Sequence, residues 1–281
     1  ISMDCASQIA IATIQTVLPK KVTNPICTRR AHRDVLHSWI SIVFYYNCAT
    51  LDVWKLSGWM KESLSDALAE VPLLSGRLRR ADGEDGTLEI VANDCGVRFL
   101  EGETEATLKE FLLKKESDKM LETQLVSLTA MDEISCQFSS LFNFQVTRFK
   151  CGGFSVGISL NVLLGGIDVV GKFIKRWATL QSTLRLSLDE SANPIFYLPL
   201  FREKPCAETK CSKTLIHPEE GKETPWKALS SPCVEKEESE KLNEHAGQLK
   251  MAEDAALVAG ERPVNASYWI ASTSHLLSVS Q

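Results

Sequence analysis

The alternation of apolar and polar positions predicts a first half of the chain that is rich in strands. IAIATIQTVLPKKVTNP begins as a β-branched strand that Pro19 and Pro25 end, and WISIVFYYN is typical of a second, buried strand. TLEIVAN and NDCGVRFLE predict further extended pieces, the second of them interrupted by Gly96. FNFQVTRFK alternates like a half-buried strand, and FSVGISLNVLL is a near-continuous apolar run expected of a central strand. With the CGG turn between them, these two predict a hairpin.

Helical spacing separates some of these strands. Apolar residues recur every three or four positions over 56–71, and Pro72 ends that pattern, so we expect a helix that packs on the sheet. Thr107 and Glu110 have capping-box spacing ahead of FLLKK, although this helix could equally begin near Thr104.

A third helix is predicted directly after Gly165 and Gly166. Asp168 is placed to cap it. Its apolar positions share one face and its basic positions share another. The apolar positions are Val169, Val170, Phe173, Ile174 and Trp177, and the basic positions are Lys172, Lys175 and Arg176. Strand, glycine turn and helix therefore follow one another, an order in which a functional site could be built.

Composition narrows the class of protein. The 281 residues are 44% hydrophobic, which is enough for one large or two modest globular domains. The net charge of -5, with no long basic block, argues against a nucleic-acid partner. Nine dispersed cysteines fit thiols kept reduced inside a cell. We expect no secretory signal and no transmembrane segment, and hence a cytoplasmic protein.

Four landmarks occur in order along the chain: VPLLSGRLRR, LEIVANDCGVRFLE, VTRFKCGGFSVGIS and FIKRWA. Together they resemble the plant BAHD acyltransferase family, and NDCGVRFLE and VTRFKCGGFSVGIS are most similar to its Eceriferum and Glossy wax proteins. The resemblance covers roughly the first two thirds of the chain. It implies an α/β fold of the CoA-dependent, chloramphenicol acetyltransferase-like type, with a mixed sheet flanked by helices. Residues 1–180 would form the BAHD-type N-terminal domain, and 181–281 a crossover, a charged linker and a shortened remnant of the second domain.

The chemistry of that family resides in an HxxxD motif, which this chain lacks. The family's histidine removes a proton from a hydroxyl or amine acceptor that then attacks an acyl-CoA thioester, and the aspartate has a mainly structural part. Counting from Cys151 forwards, and from Trp177 backwards, places these positions at Val162 and Gly166. A shift of one would bring Asn161 to the histidine position, but a neutral amide is no general base near neutral pH. We expect Val162 to be buried, with no ionisable group in reach of the acceptor.

The second domain of the family also departs from the pattern. Family members carry a DFGWG motif near their end, with the acyl-CoA channel between two similar domains, and this chain has no such string. Instead, HPEEGKETPWKALSSPCVEKEESEKLNEHAG is charged and weakly periodic, as linkers are. We therefore expect that either the second domain is drastically shortened or the gene product is truncated.

Other candidate sites are each weighed against a simpler interpretation. Residues 153–157 match the GxSxG nucleophile elbow around Ser155, but more strand follows where a helix should. A zinc set could be drawn from Cys206, Cys211, His217 and Cys233, although their spacing matches no common pattern. The remaining histidines have no partner nearby in sequence; they are His32, His37, His245 and His275. Lys172, Lys175 and Arg176 could bind CoA phosphates, or form a solvated helix face.

Two functions remain open after this comparison. The Eceriferum resemblance implies a non-catalytic protein that supports very-long-chain fatty acid elongation for cuticular wax, with an elongase condensing enzyme as partner at the cytosolic face of the endoplasmic reticulum. The alternative is an acyl-CoA-dependent acyltransferase whose base comes from elsewhere, for example a histidine brought near Gly166 by the fold. A decayed paralogue is a third interpretation, marked by an exposed apolar surface. Acyl-CoA is the substrate or ligand implied, and no tightly bound cofactor is expected.

Overall fold

The computed structural model describes residues 8–23, 28–31, 35–48, 52–81, 88–118, 120–129, 131, 139–187, 194, 258 and 261–272. These residues form nine strands and three α-helices. The strands are β1 (Ala10–Val17), β2 (Thr28–Ala31), β3 (Ser38–Tyr46), β4 (Arg77–Arg80), β5 (Leu88–Val91), β6 (Val97–Thr104), β7 (Phe142–Phe149), β8 (Phe154–Asn161) and β9 (Asn265–Ser272). The helices are α1 (Val53–Glu70), α2 (Leu108–Ser117) and α3 (Ile167–Ser187).

Six of the strands form one mixed sheet. Their order is β1-β6-β7-β8-β3-β9, and β2, β5 and β4 form a separate three-stranded sheet. In the main sheet β6 and β7 run parallel, and the other neighbours run antiparallel. The expected α/β architecture is confirmed. β9 comes from the part of the chain that the sequence assigned to the second domain, yet it pairs with β3; the division at residue 180 stays a prediction.

Helices α1 and α3 pack side by side on one face of the main sheet. The apolar positions predicted for both helices are buried there, and Trp177 donates from Nε1 to Ser63 Oγ at 2.9 Å across the helix pair. Phe142 and Phe144 of β7 meet Phe173 and Trp177 with ring centroids 5.2–6.4 Å apart. This packing fixes the direction in which α3 leaves the end of β8.

The opposite face of the sheet carries the polar residues of β7 and β8, beside a second apolar cluster with α2, and it is covered. The alternating pattern of β7 predicted a half-buried strand, but its polar positions are buried beneath the segment 121–128. Asn143 Nδ2 donates to Ser127 O at 3.0 Å and Gln145 Nε2 donates to Gln124 O at 2.7 Å. At Gly157 a Cβ would collide with the carbonyl oxygen of Leu125, so the segment lies directly on the strand. The interpretation as a half-buried strand was therefore wrong, because the segment supplies the hydrogen bonds that water would otherwise make.

Element boundaries follow local chemistry. The capping box is confirmed, since Thr107 Oγ1 accepts from the Glu110 backbone N–H and Glu110 Oε2 accepts from the Thr107 backbone N–H; the alternative start near Thr104 is wrong. Asp168 lies inside the first turn of α3, which begins at Ile167, so its assignment as the N-cap is corrected. None of the described helices combines the length and apolarity that crossing a bilayer requires.

Candidate functional site

The positions predicted for the degenerate motif lie in one short loop between β8 and α3. Residues 161–166, here called the motif loop, connect the central strand to the long helix. The predicted strand through Leu164 stops earlier, at Asn161, and Val162–Leu164 form a single 3-10 turn. An apolar run does not distinguish a buried strand from a buried turn, which is why the sequence overran the boundary.

Asn161 is fully buried and its side-chain amide fastens the motif loop. Its Oδ1 accepts from the backbone N–H of Leu163 at 3.0 Å, which caps the turn, and its Nδ2 donates to Leu36 O at 2.8 Å. Both ends of the amide are therefore in use. Asn161 positions the loop and offers no proton-accepting atom for chemistry.

Arg29 of β2 holds the same loop from the other side. Its Nη2 donates to the backbone carbonyl of Leu163. Burial lowers the pKa of Arg29, although an arginine stays charged at physiological pH even so. Sequence reasoning missed this residue, because 134 positions separate it from Leu163 and no local pattern links them.

Val162 and Gly166 provide no acid or base. Val162 is half-buried against the edge of the core rather than buried as expected, because it stands on a turn and not within the strand. Gly166 is exposed, and a Cβ there would meet only Asp168 Oδ1, at 3.0 Å. Gly165 between them has φ +144°, and a Cβ on it would overlap Val169. The backbone of the loop therefore requires a glycine at Gly165 and tolerates substitution at Gly166.

One histidine of the described ranges, His37, lies next to the motif loop. Asn161 pairs with Trp39 across β8 and β3, and its amide bonds to Leu36 O, so the loop flanks the residues that lead into β3. His37 is half-buried at this place. His32, His217, His245 and His275 fall outside the described residues.

The three basic residues predicted as a CoA-phosphate surface lie on the exposed face of α3. Arg176 makes two hydrogen bonds to Glu70 of α1, at 2.6 and 2.8 Å, and Lys172 lies 3.9 Å from Asp168. Lys175 is exposed on the same face. Carboxylates accompany two of the three cations, an arrangement that a solvated helix face also has, and the assignment to CoA stays a prediction.

The alternative sites do not find support here. Ser155 is fully buried, it is paired with Tyr45 and Thr147, and β8 continues after it to Asn161. The strand–turn–helix context of a nucleophile elbow is therefore missing, and that interpretation is wrong. The candidate zinc residues 206, 211, 217 and 233 lie outside the described residues. Within the described ranges, no three His, Cys, Asp or Glu side chains gather as metal ligands would.

A surface cleft of about 240 Å³ lies at the β7–β8 hairpin. Arg148, Lys150, Glu103 and Glu105 contribute its charges as two ion pairs. Because β8 runs from this hairpin to Asn161, the cleft and the motif loop are at opposite ends of the strand.

The mixed sheet is flanked by helices, and the motif loop joins its central strand to a long helix. This arrangement is the α/β fold of the CoA-dependent acyltransferase type that the sequence predicted. The chain belongs to the transferase family, whose family model matches residues 30–250, and the BAHD acyltransferase resemblance is thereby confirmed.

The chain is also similar to individual proteins and to a solved structure. The chain is 30% identical over 141 residues to the ECERIFERUM 26-like protein of Arabidopsis thaliana, covering 50% of this chain and 32% of that protein. It is 27% identical over 160 residues to acetyl-CoA-benzylalcohol acetyltransferase of Clarkia breweri, covering 57% and 34%. Among solved structures, vinorine synthase has a TM-score of 0.48 at 20% identity, over 68% of this chain and 46% of that one. The matches thus span about a third of the length of these curated relatives.

Proposed function

We propose that this chain is a catalytically impaired BAHD-type protein that supports very-long-chain fatty acid elongation for cuticular wax, as an accessory to an elongase condensing enzyme. It contributes a binding surface rather than proton transfer. The observation that carries this proposal is the motif loop, whose backbone Asn161 and Arg29 hold in place and whose Val162 and Gly166 are the residues predicted at the two motif positions.

The energetic reason is the missing general base. A positioned base contributes roughly 10²–10⁴-fold to rate, which corresponds to about 3–5.5 kcal/mol of barrier. Valine cannot accept a proton, and the Asn161 amide is engaged at both ends. Ordinary turnover by the family's route would therefore be very slow.

A fastened loop argues against decay. If the loop had no remaining purpose, nothing would favour a buried asparagine with its hydrogen bonds satisfied, a half-buried arginine on a loop carbonyl and a glycine at a positive φ. The likeness to the ECERIFERUM 26-like protein supports the wax role, and its 32% coverage leaves activity and partner as parts of the proposal. The proposed location is the cytosolic face of the endoplasmic reticulum, where the elongase acts.

Co-expression with a plant elongase condensing enzyme in yeast tests the accessory role. We expect longer fatty acids when this protein is present, and nearly the same shift with Val162→Ala, because no base acts at that position. Gly166→Ala is the matched substitution at the second position. Lipid profiles that are identical with and without the protein, at equal expression, would remove the accessory role.

Charge reversal on α3 tests where the binding surface lies. Lys175→Glu is the cleanest probe, because Arg176 is bound to Glu70 and its reversal would also disturb the contact between α3 and α1. Lys109→Glu, on the exposed side of α2, is the control. A loss of chain lengthening with Lys175→Glu and not with Lys109→Glu would assign the partner or acyl-CoA surface to α3.

The placement of His37 supports a second candidate function, acyl-CoA-dependent transfer to a hydroxyl or amine acceptor with a non-standard base. Its test is CoA release from a panel of acyl-CoAs with alcohol and amine acceptors. Under this alternative, His37→Gln lowers turnover at least about 10²-fold, whereas Val162→Ala does not. Turnover that survives His37→Gln would exclude His37 as the base.

A further inference from the structure

Strand β9 is attached to the sheet by few apolar contacts. It pairs with β3 from Ser38↔Ser272 to Tyr45↔Asn265. Ala266 and Trp269 pack against the cores, but Tyr268 and Ile270 are 46% and 72% exposed. Among the described strands β9 is also at the edge of the sheet, so half of its backbone groups meet no other described strand. The attachment of β9 to the sheet therefore depends strongly on the side chains that contact its first residues.

Lys115 of α2 makes those contacts. Its Nζ donates to Asn265 Oδ1 at 3.2 Å and to Ser267 Oγ at 2.9 Å, the first and third residues of β9. The same ammonium lies 3.1 Å from Glu122 Oε1 and 4.6 Å from the centre of the Tyr45 ring. Only 13% of the Lys115 side chain and 16% of the Glu122 side chain are exposed, so the pair is largely withdrawn from water.

Tyr45 connects this cluster to β3. Its hydroxyl donates to Glu122 Oε1 at 2.5 Å, and its backbone carbonyl accepts from the N–H of Val264, immediately before β9, at 2.7 Å. Burial would raise the pKa of Glu122, but hydrogen bonds from Tyr45, Ser267 and Lys115 outweigh it, and the pKa is lowered overall. The carboxylate is thus charged when β9 is in place.

We infer that Lys115 and Glu122 form a latch that decides whether β9 stays on the sheet. Replacing Lys115 by a neutral residue removes the side-chain contacts at the beginning of β9, so that only the backbone pairing with β3 holds the strand. β9 then opens independently of the central strands. Opening uncovers the edge of β3. Trp39 of that strand pairs with Ala271 on one side and with Asn161 on the other, so the latch governs access to the strand beside the motif loop.

Hydrogen exchange of the full chain, followed by mass spectrometry, tests the latch. Lys115→Met keeps an unbranched apolar side chain one atom shorter and removes its charge, and Lys109→Met on the exposed side of α2 is the matched control. We expect amides in 265–272 to exchange at least about tenfold faster in Lys115→Met, with 142–161 unchanged and with no effect of Lys109→Met. Unaltered exchange in 265–272, or equal acceleration in β7 and β8, would overturn the inference.

A second variant keeps the test decisive if Lys115→Met folds poorly. Asn265→Ala combined with Ser267→Ala removes only the β9 side of the contacts and leaves Lys115 paired with Glu122. We expect faster exchange in 265–272 by about threefold or more, with β7 and β8 unchanged. Exchange equal to that of the unaltered chain would refute the latch, whatever the outcome of the fatty acid experiments.

Discussion

Lys61 Nζ and Glu101 Oε1 lie 2.8 Å apart, with only 12% and 7% of the two side chains exposed. The pair joins α1 to β6. Ser57 Oγ donates to the same carboxylate, and Thr13 of β1 donates to its second oxygen at 2.5 Å. One carboxylate therefore connects a helix, an inner strand and the edge strand β1.

Replacing Lys61 by methionine should be strongly destabilising, because it leaves a buried carboxylate without its cation. Breaking a buried pair from one side costs about 3–5 kcal/mol. Urea denaturation measures the loss, with Lys109→Met as a control that we expect within about 0.5 kcal/mol of the unaltered protein. A Lys61→Met variant as stable as the control would show that the pair contributes nothing to the fold.

The same carboxylate predicts sensitivity to acid. Burial raises the pKa of Glu101, but hydrogen bonds from Lys61, Ser57 and Thr13 outweigh it, and the pKa falls below its ordinary value of 4.5. A carboxyl with a lowered pKa adds stability that is complete above its unfolded pKa and is lost as pH falls through the folded pKa. We expect the free energy of unfolding to decline less between pH 5 and pH 3 in Glu101→Gln than in the unaltered chain. Parallel pH profiles would contradict this.

Asn161 should matter more for stability than for chemistry. Asn161→Leu leaves the Leu163 N–H and the Leu36 carbonyl without their partners. Each buried orphan group costs about 1–3 kcal/mol, so we expect a loss of about 2–6 kcal/mol in chemical denaturation. Val162→Thr, at the half-buried neighbour, should cost less than about 1.5 kcal/mol. A reversed order of the two losses would mean that the turn cap is not what fastens the loop.

The two glycines of the motif loop should respond differently to alanine. Gly165 has φ +144°, and a Cβ there overlaps Val169, so Gly165→Ala should cost at least about 2 kcal/mol. Gly166→Ala should lie within about 0.5 kcal/mol of the unaltered protein, since only Asp168 Oδ1 approaches, at 3.0 Å. Thermal unfolding of the two variants checks the difference. Equal melting temperatures would count against the described loop.

Arg176→Gln should have a small effect that depends on salt. Its partner is Glu70, and the two side chains are 47% and 38% exposed. The hydrogen bond from Arg176 lowers the pKa of Glu70, and exposed pairs of this kind contribute about 0–1 kcal/mol. We expect a loss within that range at low ionic strength, which shrinks at 1 M salt because the charges are then screened. A larger loss that salt does not change would indicate packing of the arginine stem instead.

Local pattern determined most of the elements. The period of apolar residues predicted α1 and α3, Thr107 and Glu110 predicted the start of α2, and alternation or apolar runs predicted β1, β3, β6 and the β7–β8 hairpin. These signals lie within one turn of helix or a few residues of strand, so the chain carries them without reference to its partners. The family landmarks likewise predicted, by counting alone, that Val162 and Gly166 occupy the motif positions, and this assignment stays a prediction.

Tertiary structure decided what surrounds those positions. It set the end of β8 at Asn161. It also joined residues far apart in sequence: Arg29 contacts Leu163, Asn161 contacts Leu36 beside His37, and β9 pairs with β3. The polar residues of β7 predicted a solvated face, and the segment 121–128 covers it instead. Periodicity records which positions of an element share a face, whereas the neighbour that covers that face depends on how distant parts of the chain satisfy one another's buried surface and hydrogen bonds.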